Sequence, residues 1–183
     1  MSDIFISYSS KDKNIALNIC AKLEQANLKC WMAPRDINPG EEYAAGIMRG
    51  INNCTCMVLV FSDNSNQSRH VLSEVESAFS KSKVIVPFRI ADVMPTDSME
   101  YFLKVAHWLD ASSTDLDRAI EDLRKTLAGV LQQPITTQQT STASEPQPTA
   151  KKSKAPLLAA IGGVVAIAAG LFLFMNSPSQ DHT

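Results

Sequence analysis

Apolar residues along the first two thirds of the chain come in short runs that alternate with stretches of helical period. Asp3–Tyr8 (DIFISY) reads as a strand, and residues 11–26 place Ile15, Ile19, Leu23 and Ala26 at helical spacing. Lys29–Met32 reads as a short strand, and a helix over 41–53 follows the Pro39-Gly40 turn. Cys56–Phe61 (CMVLVF) is almost wholly apolar, the pattern of a strand buried on both faces of a parallel sheet. A helix is predicted over 67–81, a strand over 84–88, a short helix over 98–104 and a last strand over Val105–Leu109. Residues 115–131 close the series with Leu116, Ile120, Leu123, Leu127 and Val130 on one face, and Thr114 with Asp117 marks the start of that helix. Repeated strand–helix alternation predicts an α/β domain over residues 1–131 with a doubly wound parallel sheet. In such sheets ligands bind beyond the carboxyl ends of the strands. Here those ends lead into Ser7–Asp12, Ala33–Glu42, Ser62–Ser68 and Ile90–Asp97, where polar and aromatic residues gather.

The pattern then stops. Residues 132–150 are rich in Gln, Thr, Ser and Pro and carry too little apolar surface to offset the entropy of ordering, so a linker is expected over 132–155. Its end is basic, with Lys151, Lys152 and Lys154. Residues 157–175 hold no charged or polar side chain and match the ~20 residues that cross a hydrocarbon core. A transmembrane helix is therefore expected over 156–175, with a short tail over 176–183. The lysines before the span and Asp181 after it place the N-terminal domain on the cytoplasmic side of a single-pass, tail-anchored protein. The apolar IFI that follows Asp3 is too short for a signal peptide. Gly162, Ala166 and Gly170 recur every four residues and offer a small-residue face for helix association in the membrane.

Overall composition adds exclusions. The 183 residues carry a net charge of -2 with a pI near 5.9, against the basic surface of a nucleic-acid binder. Cys20, Cys30, Cys54 and Cys56 show no zinc-ligand spacing, and a cytosolic domain keeps them as reduced, buried small residues, so no metal is expected. Neither GxGxxG, GxxxxGK[ST] nor GxSxG occurs, which sets aside phosphate loops and the nucleophile elbow. Gly46 and Gly50 fall inside a predicted helix, where close packing is the simplest use. A receiver domain is disfavoured: Asp63 follows the central strand, but no acidic pair stands at the end of the first. One carboxylate remains of interest, Glu74, about two turns into the helix after the central strand and within reach of the crevice; Glu76 points elsewhere on that helix.

Four segments, DIFISYSSKD, CWMAPRDINPGEEYAAGI, SRHVLSEVESA and AHWLD, resemble a Toll/interleukin receptor (TIR) domain of bacterial type. The first matches the family's first box and RDINPGE its BB loop, and the resemblance covers residues 1 to about 131. It implies a flavodoxin-like five-stranded parallel sheet. It also implies NAD+ cleavage at the nicotinamide–ribose bond, with Ser68, Val71 and Glu74 on the family's Ser-x-x-(Cys/Val/Trp)-x-x-Glu pattern and Glu74 as the catalytic carboxylate. NAD+ is then substrate, and no metal or second cofactor is needed. By the same match Tyr8 and Ser9 line the nicotinamide-ribose side. Arg35 and Asp36 contact phosphate or a neighbouring subunit, and with Pro39 and Gly40 they form the BB loop through which subunits assemble. Trp31 either caps the pocket or packs in the core, as Trp108 does. Several enzymatic members carry Trp where this chain has His70, which either stacks on substrate or stands exposed. Two functions follow from the resemblance. One is an assembly-activated NAD+ glycohydrolase releasing nicotinamide and ADP-ribose or a cyclic isomer, in bacterial antiphage defence at the inner membrane. The alternative is a non-catalytic membrane-tethered adaptor or virulence factor acting by TIR–TIR contact.

Overall fold

The computed structural model describes residues 3–132. Five strands form one sheet, all parallel, in the order β2-β1-β3-β4-β5. They are β1 (Ile4–Ser7), β2 (Cys30–Trp31), β3 (Cys56–Phe61), β4 (Val84–Arg89) and β5 (Leu109–Asp110). The helices are α1 (Lys13–Gln25), α2 (Tyr43–Asn53), α3 (Asp63–Asn66), α4 (Arg69–Ser80), α5 (Asp97–Leu103) and α6 (Leu116–Gln132), with a 3₁₀ turn at Ser10–Asp12.

Side chains alternate across each strand, and both faces are apolar. Ile4, Ile6, Val58, Val60, Val86 and Phe88 pack against α1 and α6. Phe5, Met57, Leu59, Phe61 and Ile85 pack against α2, α4 and α5. Every residue of β3 is buried, which accounts for its unbroken apolar run. This is the doubly wound five-stranded parallel architecture that the alternation predicts.

Three boundaries differ from the sequence reading, each for a local reason. The helix expected over 67–81 is preceded by a separate turn, α3, because Ser62 caps it. Ser62 Oγ accepts from the backbone of Asn64 and Ser65, and Ser65 Oγ accepts from Ser62 N at 2.8 Å. The last strand is not Val105–Leu109 but Leu109–Asp110, whose register pairs Phe88 with Leu109 and Arg89 with Asp110. Val105 stands 89% exposed past the end of α5, so its apolar side chain misled the reading. Trp108 sits just before the strand rather than in it, half-buried, with its ring edge-on to Phe61 at 5.0 Å. At α6 the cap comes from Asp115 rather than Thr114: Asp115 Oδ1 accepts from Arg118 N at 3.1 Å.

Among the described residues, no helix is long and apolar enough to cross a membrane. The expected linker beyond Gln132, the span over 156–175 with its Gly162, Ala166 and Gly170 face, and the tail lie outside the described residues.

Candidate active site

Two connections at the carboxyl end of the sheet, with the start of α2, build a cavity of about 330 Å³. β1 ends at Ser7 and the chain continues through Tyr8 into the 3₁₀ turn and α1; β2 leads through Ala33 to Pro34. Tyr8, Ser10, Lys13, Pro34, Tyr43 and Glu74 line it. Tyr8 Oη donates to the Ala33 carbonyl at 2.5 Å, which ties one rim of the cavity to the other.

Glu74 arrives there by helix geometry. Ser68 caps α4, its Oγ accepting from Val71 N at 3.4 Å. Val71, Val75 and Ala78 then form the buried stripe of the helix against the sheet. Glu74 is three residues beyond Val71 and lies at the margin of that stripe, where it meets the end of β1. Ser7 belongs to the strand face that carries Phe5, the face covered by α4. Its Oγ donates to Glu74 Oε2 at 2.6 Å, the length of a hydroxyl–carboxylate bond.

Burial pushes the Glu74 carboxyl up from 4.5 to about 7, against the opposing effect of the Ser7 hydrogen bond. Burial also raises the Tyr8 and Tyr43 phenols, which keeps both as neutral hydroxyls at physiological pH. The cavity thus sets one poorly solvated carboxylate among two phenols and a lysine. That arrangement can stabilise positive charge developing on a bound molecule.

The structure brings Tyr8 and Glu74 of the expected site residues together. The others stand elsewhere. Ser9 is buried, and its Oγ accepts from Lys11 N at 3.4 Å as the cap of the 3₁₀ turn. Ser68 is spent on the cap of α4. His70 is exposed on the first turn of α4 and does not line the cavity. Trp31 is buried in β2, stacked on Phe5 with ring centroids 4.9 Å apart, so its position is that of a core residue. Arg35 turns away from the cavity toward Glu24 at 2.8 Å and Asp36. Asp36 in turn accepts from Met32 N at 2.8 Å. Pro39 and Gly40 are exposed, Gly40 with φ of 80°.

Sequence reasoning missed Ser7, Ser10, Lys13, Pro34 and Tyr43. For Ser7 a signal existed: it is a polar residue in phase with Phe5 on an inward strand face, which asks for a polar partner from the covering helix. Tyr43 and Lys13 open their helices after loops, and nothing in their spacing marks them.

A larger groove of about 700 Å³ lies at the opposite end of β4, lined by Phe79, Val84, Phe102, Val105 and Val130 among others. It presents no carboxylate, and the crevice chemistry belongs to the smaller cavity.

Comparison with known proteins agrees with this architecture. The family model for the TIR domain matches residues 4–127. A Brachypodium distachyon protein named "Probable 2' cyclic ADP-D-ribose synthase BdTIR" is 27% identical over 97 residues, which is 52% of this chain. The matched part spans 43% of that relative's length. Among solved structures, the TIR domain of the Toll-related receptor TRR-2 from Hydra magnipapillata superposes with a TM-score of 0.61 at 24% identity, covering 70% of this chain and 99% of that one. The TIR domains of the activated Roq1 resistosome give the same score at 16% identity, covering 69% and 99%. With a five-stranded parallel sheet in this order and a family match across nearly all of the described residues, the chain belongs to the TIR domain family.

Proposed function

We propose that this protein cleaves NAD+ at the nicotinamide–ribose bond, with Glu74 as the carboxylate that stabilises the reacting ribose. The observation that carries the reading is the desolvated Glu74 carboxyl, held by Ser7 at the wall of a cavity at the carboxyl ends of the strands. The chemistry suits a single carboxylate. The nicotinamide of NAD+ is already cationic, so it leaves as a neutral ring when the C1′–N bond breaks and needs no proton. The charge passes to an oxocarbenium-like ribosyl centre, which an adjacent carboxylate stabilises, as in glycoside cleavage. Water then attacks C1′ to give ADP-ribose and release one proton, or a group of the same molecule attacks to give a cyclic isomer. The name of the Brachypodium distachyon relative, a cyclic ADP-D-ribose synthase, supports the same class of product.

Tyr8 and Tyr43 supply flat, neutral rings for stacking on nicotinamide or ribose, and Lys13 a cation for the diphosphate. Arg35, Asp36, Pro39 and Gly40, which do not line the cavity, serve assembly between copies of the domain. We further propose that residues 156–175 tether the domain to a bacterial inner membrane with the TIR domain cytoplasmic. Confinement there favours self-assembly, and the setting is antiphage defence. Removal of residues 156–183 should move the protein from the membrane pellet to the soluble fraction; retention in the pellet would overturn the tether.

The catalytic reading is tested by nicotinamide release from NAD+ by the concentrated full chain, compared with Glu74→Ala. Release that falls by at least about two orders of magnitude in the variant is expected, given that lost charge stabilisation costs about 3 kcal/mol or more. Equal release from both proteins sinks the role of Glu74. No release from either, under conditions where the protein assembles, favours an adaptor that works by TIR–TIR contact alone.

A further inference from the structure

A second reactive cluster lies between α1 and β2. Cys20 Sγ, Cys30 Sγ and a carboxylate oxygen of Glu24 all lie within 4.8 Å of one another. Arg35 spans the group: Nη1 donates to Cys20 Sγ at 3.2 Å and to Glu24 Oε2 at 3.1 Å, and Nη2 donates to the Cys30 carbonyl at 3.0 Å. Cys30 forms part of the wall of a surface cleft of about 580 Å³, which Glu24, Leu28 and Arg35 also line. Both residues are otherwise buried, with 1% of Cys20 and 7% of Cys30 exposed.

The neighbouring Cys30 thiol and the Arg35 guanidinium hold the Cys20 thiol below its ordinary value even though burial opposes this, while Cys30 Sγ donates to the Leu28 carbonyl at 3.6 Å. The neighbouring Cys20 thiol and burial push Cys30 up. Cys20 is therefore the more acidic member of the pair and Cys30 the less acidic. Cys54 and Cys56 make the contrast. Burial raises both, Cys56 to about 12, and their thiols point to the backbone carbonyls of Ile51 and Asp3. A metal ion fits the cluster poorly, because the guanidinium of Arg35 already occupies the side of Cys20 and Glu24 that a cation would take, and only three donors are present.

We propose that Cys20 and Cys30 are a redox modification site, a dithiol that hydrogen peroxide converts to an intramolecular disulfide. The Cys20 thiolate attacks one peroxide oxygen, the O–O bond breaks, and hydroxide leaves and is protonated to water. The product is a sulfenic acid at Cys20. The Cys30 sulfur then attacks Cys20 Sγ, its proton passes to the departing oxygen, and a second water leaves. Two thiols lose two electrons in all, and one peroxide is reduced to two waters. Closure must bring the two sulfurs from within 4.8 Å to the ~2.05 Å of a bonded pair. Bond formation alters the sulfur to which Arg35 donates, at the start of the loop that runs on to Asp36, Pro39 and Gly40.

The test is peroxide titration of the reduced full chain, followed by alkylation, digestion and mass spectrometry. The expected result is loss of two hydrogens from the intact protein, a peptide pair joined through Cys20 and Cys30, and full reversal by dithiothreitol. Arg35→Ala should slow formation of the link severalfold, because the guanidinium that favours the Cys20 thiolate is lost. Cys54→Ser should leave the rate unchanged. The proposal is overturned if Cys20 and Cys30 both remain alkylatable, if the link joins Cys54 to Cys56, if Cys20 advances to a sulfinic acid with no link, or if Arg35→Ala oxidises at the wild-type rate.

Discussion

Replacing Glu74 by Gln should stabilise the folded domain, and by an amount that depends on pH in a defined direction. Burial moves the Glu74 carboxyl from 4.5 to about 7. At pH 4 the group is protonated in both folded and unfolded chains, and no penalty exists. As pH rises through 4.5 the unfolded chain ionises first, while the folded chain holds its proton until about 7. Wild-type stability therefore falls over that window and levels off above it. Each pKa unit is worth 1.36 kcal/mol, so ionised Glu74 costs the folded state about 3 kcal/mol at pH 8. Glutamine cannot ionise, and its carbonyl still accepts the Ser7 hydroxyl. The assay is urea unfolding of wild type and Glu74→Gln, followed by circular dichroism at unit steps from pH 4 to pH 8. The gap between the proteins should grow from near zero to about 3 kcal/mol, or roughly 10 °C in Tm for a domain of this size. A gap that stays constant with pH would refute the account, as would a variant less stable than wild type at pH 8.

Ser7→Ala removes a hydrogen bond that favours the Glu74 carboxylate, so the carboxyl should titrate above 7. If the carboxylate is the active form, the acid limb of kcat/KM for nicotinamide release moves to higher pH, and the loss is larger at pH 6.5 than at pH 8.5; an unmoved limb, or one shifted down, contradicts this. Gly50→Ala brings a Cβ to 2.6 Å from the Trp31 indole, which is buried and stacked on Phe5 and cannot move aside. It should lower urea-unfolding stability by about 2 kcal/mol. Gly129→Ala on α6 meets nothing within 4 Å and should raise stability by roughly 0.5–1 kcal/mol. Equal effects from the two substitutions would mean that contact with Trp31 is not what decides the cost at Gly50.

The sheet and its helices were legible because both faces of a parallel sheet are buried. β3 reads as six consecutive apolar residues, and α1 and α6 show their buried stripes in the spacing of Ile19 with Leu23 and of Ile120, Leu123 and Leu127. What failed was decided by contacts made across the fold. Val105 is apolar in a strand-like run, yet it has no strand opposite it, because pairing with β4 begins only at Leu109. In the site, Glu74 was legible as a carboxylate near the crevice from its distance along α4, whereas its role and the place of Tyr8 came from the family resemblance. Lys13, Pro34 and Tyr43 were not, since each reaches the cavity only when the 3₁₀ turn and the loop after β2 bring their elements together. Motif residues also divide by what holds them. Ser9 and Ser68 satisfy orphan backbone donors at helix starts, a need that the fold itself creates. A motif match alone does not distinguish such residues from ones that touch a ligand.

That division bears on why the fold tolerates Glu74. A helix cap such as Ser68 stabilises the domain, and selection for stability suffices to keep it. Glu74 does the reverse. Burial makes its charged form unfavourable, and a single hydroxyl, that of Ser7, offsets only part of this. Chemically similar but neutral side chains would serve the fold better, so the stability of the domain gives no reason for a carboxylate at this position. A bound cation does give one. The same poor solvation that disfavours the free carboxylate strengthens its attraction for positive charge, because less water screens it. On the proposed function, a pyridinium ring, or the ribosyl cation left when that ring departs, gives the Glu74 carboxylate an opposite charge. The energetic burden of Glu74 in the folded domain and its proposed use toward a cationic substrate are then two consequences of one burial, which places the most informative contrast at this one side chain rather than at the capping serines around it.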